Sequence, residues 1–158
     1  MMDLLGAARA MAGRVAGDNL GFCGVSTDSR TLAAGELFLA LRGENFDGHH
    51  YVAAAQARGA AAAVVAADAA DGLSSLGLPL ILVDETRLAL GALAADWRSR
   101  FTLPVIAVTG SNGKTTTKEM IASILKATFG EAVLSTAGNY NNDIGLPLTL
   151  LRLNAGHR

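Results

Sequence analysis

The sequence is poor in the residue types that mark several classes of protein. Its single cysteine, Cys23, excludes an internal disulfide and suits a reducing compartment. Lys and Arg number 13 against 14 Asp and Glu, without a basic cluster, so nucleic-acid binding is not indicated. The most apolar run, 59–67, is too short to cross a bilayer, and no signal peptide is recognisable at the start. We therefore expect a cytoplasmic protein that neither inserts into membranes nor binds nucleic acid. We also expect a monomer, although no residue pattern bears on the oligomeric state.

The first half of the chain alternates between two kinds of apolar pattern. Half of the residues are hydrophobic (51%), so a packed core is expected. Short continuous apolar runs predict buried strands, and segments with helical periodicity lie between them. We predict an α/β fold in which residues 1–84 form a small substrate domain and 85–103 a connecting helix, with Thr86 as its N-cap, and a linker. The predicted strands are 37–41, 62–66 and 80–83, and the predicted helices are 4–12, 50–58 and 86–100.

After Pro104 the alternation starts again. The pattern predicts strands at 105–108 and 133–135, a helix at 116–128 with an apolar face, and a helix at 144–153. We interpret 104–158 as the start of a P-loop, Rossmann-like ATPase domain. Domains typically contain about 100–200 residues, so this one would be cut short, and we expect the chain to be a piece of a longer protein. The apolar face comprises Met120, Ile121, Ile124 and Leu125.

The segment around Gly110 has the order strand, glycine-rich loop, helix that a phosphate cradle requires. Glycines let backbone N–H groups turn inward, and the helix N-terminus adds partial positive charge. Lys114 is placed to reach the β- and γ-phosphates as the catalytic residue, and the Thr115 hydroxyl to bind Mg²⁺. The general P-loop pattern would have its first glycine at Val108, and the alternative is a helix start with a solvated lysine. We predict ATP and Mg²⁺ as cofactors, with ATP held by Thr109, Gly110, Ser111, Asn112, Gly113, Lys114, Thr115 and Thr116.

Three further polar segments admit a binding role or a purely structural one. Asp28-Ser29-Arg30 could pair with a diphosphate or form an Asx turn with a surface arginine. Asp47 and His49 could contact substrate, or Asp47 could simply cap a helix. The segment 139–142 could be a ligand-facing loop or a set of turn formers.

The loop at 109–116 resembles the nucleotide loop of the Mur ligase family. Segments 26–30, 35–38 and 43–49 resemble the uridine-nucleotide domain of the ligases that act late in peptidoglycan precursor synthesis. The segment 138–147 is similar to the member that adds D-alanyl-D-alanine. The resemblance implies substrate contacts at Ser29, Arg30, Asp47, His49, Asn139 and Asn142.

The resemblance also implies an activity. It is an ATP-dependent ligation of D-alanyl-D-alanine to a UDP-N-acetylmuramoyl tripeptide, through an acyl phosphate. The ligase that adds the third amino acid to the same precursor is the alternative within the family. A non-catalytic nucleotide-binding module and a P-loop GTPase are the alternatives outside it, and a GTPase is disfavoured because an Asn-Lys-x-Asp segment is missing.

Overall fold

The structure is a computed structural model that describes residues 1–43, 46–138 and 142–158. Over these residues the chain forms seven strands and five α-helices, and a short 3₁₀ turn at Gly48–Tyr51 precedes the second helix. The strands are β1 (Met2–Asp3), β2 (Arg14–Ala16), β3 (Gly21–Phe22), β4 (Val25–Ser26), β5 (Leu37–Leu39), β6 (Ala62–Ala66) and β7 (Leu80–Val83). The helices are α1 (Leu4–Ala10), α2 (Val52–Ala57), α3 (Thr86–Ser99), α4 (Lys114–Phe129) and α5 (Gly145–Leu150).

The main sheet has five strands in the order β2-β7-β6-β5-β4. The four strands β4 to β7 are parallel, whereas β2 lies antiparallel to β7 at one edge, with Val15 opposite Ile81. Every residue of β5, β6 and β7 is buried, as expected for parallel strands covered on both faces. The three predicted strands are therefore confirmed, and their continuous apolar runs follow from this double burial.

Alternate residues of the central strands supply two cores, one on each face of the sheet. On β5, for example, Leu37 and Leu39 join the core that α1 and α3 cover, while Phe38 joins the core that α2 covers. The α/β class is thus confirmed. The first core further contains Leu4, Val64, Ile81, Leu90 and Leu93, and the second contains Val52, Ala55, Val65 and Leu82.

Helix α5 packs against α3, although the two are far apart in sequence. The indole Nε1 of Trp97 donates a hydrogen bond to the carbonyl oxygen of Leu153 at 3.0 Å. Arg87, in the first turn of α3, pairs with Asp143 just before α5 at 2.6 Å. Leu151 is buried in the same core as α1 and α3. These contacts hold α5, which follows the glycine loop in the chain, against the helices that cover one face of the main sheet.

Two predicted strands are wrong in this structure. Residues 105–108 and 133–135 have no regular secondary structure, and Val105 and Ile106 are exposed. A strand exists only where a neighbouring strand accepts and donates its backbone hydrogen bonds. In the described part of the chain, neither segment has such a neighbour, so their apolar patterns remain unpaired.

The predicted helices are present, but the start of α4, the burial of its apolar face and the N-cap of α3 differ from the predictions. Helix α4 begins at Lys114 rather than 116, and its predicted apolar face is largely uncovered, with Met120 62% and Ile124 67% exposed. The N-cap of α3 is Glu85, not Thr86, because the Glu85 carboxylate accepts hydrogen bonds from the first-turn N–H groups, whereas Thr86 is buried. Pro147 lies in the first turn of α5, as predicted. None of the described helices is long and apolar enough to span a bilayer.

Candidate functional site

The glycine loop opens directly onto α4. Gly110 and Gly113 have φ angles of +152° and +74°, in the region that favours glycine. Gly113 is the N-cap of α4, and its carbonyl accepts the first helical hydrogen bond, from Thr117 N–H at 2.9 Å. A glycine N-cap has no side chain to occupy the first-turn N–H groups. A glycine loop that opens onto a helix start is the arrangement that phosphate-binding sites use, and phosphate binding here stays a prediction.

Lys114 begins the helix and folds back over the loop. Its Nζ donates to the carbonyl oxygen of Gly110 at 2.5 Å. This places the ammonium above the glycine loop, beside the N-terminus of α4. A phosphate bound in the loop would compete with that carbonyl for the lysine. The predicted charge-neutralising position of Lys114 is consistent with this geometry, and its catalytic role stays a prediction.

Thr115 follows Lys114 in the first turn of α4. In the described ranges, no three His, Cys, Asp or Glu side chains gather into a site that could hold a metal ion. A hydroxyl is a suitable hard-oxygen ligand for Mg²⁺, which commonly takes its other ligands from nucleotide phosphates and water. A single hydroxyl is compatible with a magnesium ion that brings its other ligands with the nucleotide, and magnesium binding by Thr115 stays a prediction.

Lys118, one turn after Lys114, has a role that the sequence did not reveal. Its side chain is only 21% exposed. Its Nζ donates to the carbonyl oxygens of Thr136 at 2.7 Å and Gly138 at 3.0 Å, and it pairs with Glu119, whose pKa it lowers. Lys118 therefore links α4 to the segment 136–138, which precedes Asn142. Its helical spacing from Lys114 was the available signal.

The asparagine segment is only partly described. Asn142 accepts hydrogen bonds at Oδ1 from the backbone N–H groups of Gly145 at 2.7 Å and Ile144 at 3.3 Å, and so fixes the start of α5. Asn139 lies outside the described residues, as do Glu44 and Asn45 of the earlier loop. The substrate contacts predicted for Asn139 and Asn142 stay predictions.

The second polar cluster lies where the parallel strands β4, β5 and β6 end, which we call the carboxyl edge. Asp28, Ser29 and Arg30 follow β4. Arg30 donates from Nη2 and Nε to the Asp28 carboxylate at 2.7 and 2.9 Å, and this guanidinium lowers the pKa of Asp28 to about 2. The Arg30 backbone N–H also donates to Asp28 at 2.9 Å, which forms the Asx turn considered above. The Arg30 side chain remains 86% exposed, so the turn presents it to solvent, while Ser29 is buried.

Asp47 and His49 lie at the same edge, after β5. Asp47 caps the 3₁₀ turn by accepting the His49 N–H at 2.9 Å, so the capping alternative is realised. His49 is 6% exposed, and its Nδ1 contacts the same Asp47 oxygen at 2.5 Å. Its Nε2 accepts the backbone N–H of Ala66, the last residue of β6, at 2.9 Å. Both ring nitrogens thus have partners within the chain.

Arg42 joins this cluster, although no motif or spacing in the sequence singled it out. Its Nε donates to Asp47 at 3.3 Å, and its Nη1 donates to Asp68, just beyond β6, at 3.0 Å. Burial alone would raise the pKa of Asp47, but the backbone and side-chain hydrogen bonds from His49 and the positive charge of Arg42 lower it to about 2. In parallel α/β sheets, ligands bind outside the carboxyl ends of the strands, which is where these side chains gather.

A glycine loop with a lysine at the start of a helix, on an α/β frame, defines a protein that binds a nucleotide phosphate. Comparison with known families gives the particular class. Residues 22–98 match the family model described as "Mur ligase family, catalytic domain", and residues 108–158 match the "Mur ligase middle domain". The chain belongs to the Mur ligase family, whose members are ATP-dependent ligases.

Curated relatives share the sequence across most of the chain. A UDP-N-acetylmuramoyl-tripeptide–D-alanyl-D-alanine ligase from Synechocystis is 51% identical over 84% of this chain, and one from Haemophilus influenzae is 50% identical over 85%. A UDP-N-acetylmuramoyl-L-alanyl-D-glutamate–2,6-diaminopimelate ligase from Aquifex aeolicus is 40% identical over 65% and spans 20% of that relative. The chain spans 28% and 29% of the lengths of the first two.

Solved structures agree with the sequence comparison. A crystal structure of MurF from Acinetobacter baumannii matches 99% of this chain with a TM-score of 0.81 and 39% identity, and the match covers 34% of that protein. MurF ligase from Thermotoga maritima, solved in complex with ADP, matches 80% of this chain with a TM-score of 0.63 and 34% identity, covering 28% of that protein.

Proposed function

We propose that this chain is part of an ATP-dependent ligase that joins D-alanyl-D-alanine to a UDP-N-acetylmuramoyl tripeptide. The observation that carries the proposal is the identity of 51% to a ligase of that name, across 84% of the chain. The relative that adds diaminopimelate is less similar over a shorter stretch. The glycine loop and Lys114 supply the site that an ATP-dependent reaction needs.

The chemistry explains why a phosphate cradle is needed. A carboxylate resists attack by an amine at neutral pH, so its oxygen first attacks the γ-phosphorus of ATP, giving an acyl phosphate and releasing ADP. The amine of the dipeptide then attacks the acyl carbon, phosphate leaves, and the amine loses a proton as the amide forms. Catalysis of such steps is largely positioning and charge neutralisation.

Each part of the cradle has a task in the first step. The backbone N–H groups of 110–114 would hold the phosphate oxygens, and Lys114 would exchange the Gly110 carbonyl for a phosphate oxygen. Thr115 would ligate Mg²⁺, which when bound neutralises negative charge on the phosphates. The remaining loop residues Thr109, Ser111, Asn112 and Thr116 would line the same nucleotide site.

The glycine loop and the carboxyl-edge cluster would bind different parts of the substrates. We assign residues 1–84 to binding of the uridine diphosphate end, with Ser29, Arg30 and the Asp47–His49 turn at the carboxyl edge. Residues 104–158 form the start of the ATP domain, and 85–103 connect the two. Asn139 and Asn142 would face the peptide. The reaction would take place in the cytoplasm, where ATP is available, and we propose a monomer.

A product assay separates the alternatives. The full-length protein that contains this chain would be incubated with ATP, Mg²⁺ and UDP-N-acetylmuramoyl tripeptide plus D-alanyl-D-alanine. A parallel reaction would contain the UDP-N-acetylmuramoyl dipeptide plus diaminopimelate or lysine. Mass spectrometry should detect the pentapeptide product only in the first reaction. Product only in the second would identify the third-residue ligase, and no product in either would indicate a non-catalytic nucleotide-binding module.

A further inference from the structure

The hydrogen bonds of His49 allow one protonation state. The backbone N–H of Ala66 can only donate, so the Nε2 that it contacts at 2.9 Å must be an unprotonated acceptor. The ring proton of neutral His49 therefore lies on Nδ1, where it is donated to the Asp47 carboxylate. The turn that carries His49 packs directly on the end of β5: the Gly48 N–H donates to the Leu41 carbonyl oxygen at 2.8 Å, and a Cβ on Gly48 would come within 2.8 Å of the same oxygen.

A continuous series of hydrogen bonds starts from this tautomer. The His49 ring orients the Asp47 carboxylate, and the second Asp47 oxygen accepts the Nε–H of Arg42 at 3.3 Å. Arg42 then donates to Asp68, two residues beyond Ala66. The series therefore links the ends of β5 and β6, and it holds a half-exposed guanidinium at the carboxyl edge.

We propose that His49 is a positioning residue that does not itself contact the ligand: as the Nδ1–H tautomer it orients Asp47, which holds Arg42 toward a nucleoside diphosphate at the carboxyl edge. The identity of this ligand rests on the proposed function, whereas the tautomer and the hydrogen-bond series do not. His49 is buried with both nitrogens engaged. The half-exposed Arg42 guanidinium is paired with Asp47 and Asp68, and it is the positive charge that we assign to the diphosphate.

Two substitutions at His49 test the two hydrogen bonds of its imidazole ring separately. The short side chain in His49→Asn keeps an N–H donor near the position of Nδ1, so it can still orient Asp47, but it cannot reach Ala66. His49→Gln extends an acceptor toward Ala66 and gives up the donor to Asp47. His50→Gln, at the neighbouring exposed histidine, is the matched control.

The first measurement is binding of UDP to the 158-residue chain by calorimetry, with urea unfolding of each variant alongside. We expect roughly tenfold weaker binding for His49→Gln, the loss of one charge-assisted hydrogen bond, and near wild-type binding for His49→Asn and His50→Gln. If His49 had a purely structural role, the loss of UDP affinity would parallel the loss of stability in both His49 variants. If His49 contacted the ligand directly, both variants would bind UDP equally weakly. Either result would overturn the proposal, as would wild-type affinity in His49→Gln.

The second measurement needs no ligand. Nitrogen-15 NMR of the wild-type chain should show a protonated Nδ1 and an unprotonated Nε2 for His49, and a protected Nε–H for Arg42. That Arg42 signal should persist in His49→Asn and be lost in His49→Gln. A protonated Nε2, or an Arg42 signal unchanged in His49→Gln, would refute the series even if a variant unfolded in the first experiment. If the wild type does not bind UDP, the uridine assignment fails, and the NMR result alone decides the positioning role of His49.

Discussion

Replacing Lys114 by alanine should abolish ligation by the full-length protein without unfolding it. In the glycine loop, the Lys114 ammonium lies 2.5 Å from the Gly110 carbonyl oxygen, beside the N-terminus of α4. It is placed to neutralise the charge that develops on the transferred phosphoryl group. Removing one preorganised contact of this kind costs about 3–4 kcal/mol of transition-state stabilisation, or a factor on the order of 100 to 1,000 in turnover.

The fold should tolerate the substitution. The Lys114 side chain is only half-buried and donates to a carbonyl of its own loop, so the free energy of unfolding should change by no more than about 0.5 kcal/mol. Lys126→Ala, at an exposed lysine three turns further along α4, is the matched control and should retain full activity. Turnover would be measured as ADP and amide product under saturating ATP, with urea unfolding in parallel.

The result that would refute this reasoning is turnover of Lys114→Ala within a few-fold of the wild type. The glycine loop would then not be the catalytic cradle. A variant with lost activity and an equally lowered unfolding free energy would instead assign Lys114 a structural role. Lys114→Arg keeps the charge but not the compact ammonium, so we expect only partial recovery.

Three further predictions concern Arg30, the isolated chain and Asp47. Arg30→Ala should bind UDP-N-acetylmuramoyl tripeptide more weakly in calorimetry, because the exposed guanidinium is lost and no longer balances the Asp28 carboxylate; unchanged affinity in a folded variant would remove Arg30 from the site. The isolated 158-residue chain should give no amide product by mass spectrometry, since the amine must be held about 3–3.5 Å from the acyl carbon and the described residues supply no evident site for it; product at the full-length rate would contradict this. Asp47 has its pKa lowered from 3.8 to about 2, so its contribution to stability is present above about pH 4 and is lost as the pH falls toward 2. In urea unfolding, Asp47→Asn should therefore be less stable than the wild type at pH 7, by up to about 2 kcal/mol, and the difference should shrink between about pH 4 and 2; a difference independent of pH would refute the assignment.

The features that were predicted correctly have local causes. Strands covered on both faces must be apolar along their whole length, so β6 and β7 were predicted with their observed bounds, and β5 nearly so. A phosphate cradle needs glycines followed by a lysine at a helix start, and that order is visible in any sequence that contains it. Pro147 was placed correctly in the first turn of α5 because proline favours that position in a helix.

Features that depend on partners distant in the chain could not be predicted from the sequence. The edge strand β2, the Lys118 bridge to Thr136 and Gly138, and the Trp97 bond to Leu153 all join segments whose proximity no local pattern encodes. The same reason explains the wrong strand at 105–108. Apolar periodicity reports that a segment is suited to burial, but a strand also requires a neighbour to complete its hydrogen bonds, and the neighbour is a property of the fold.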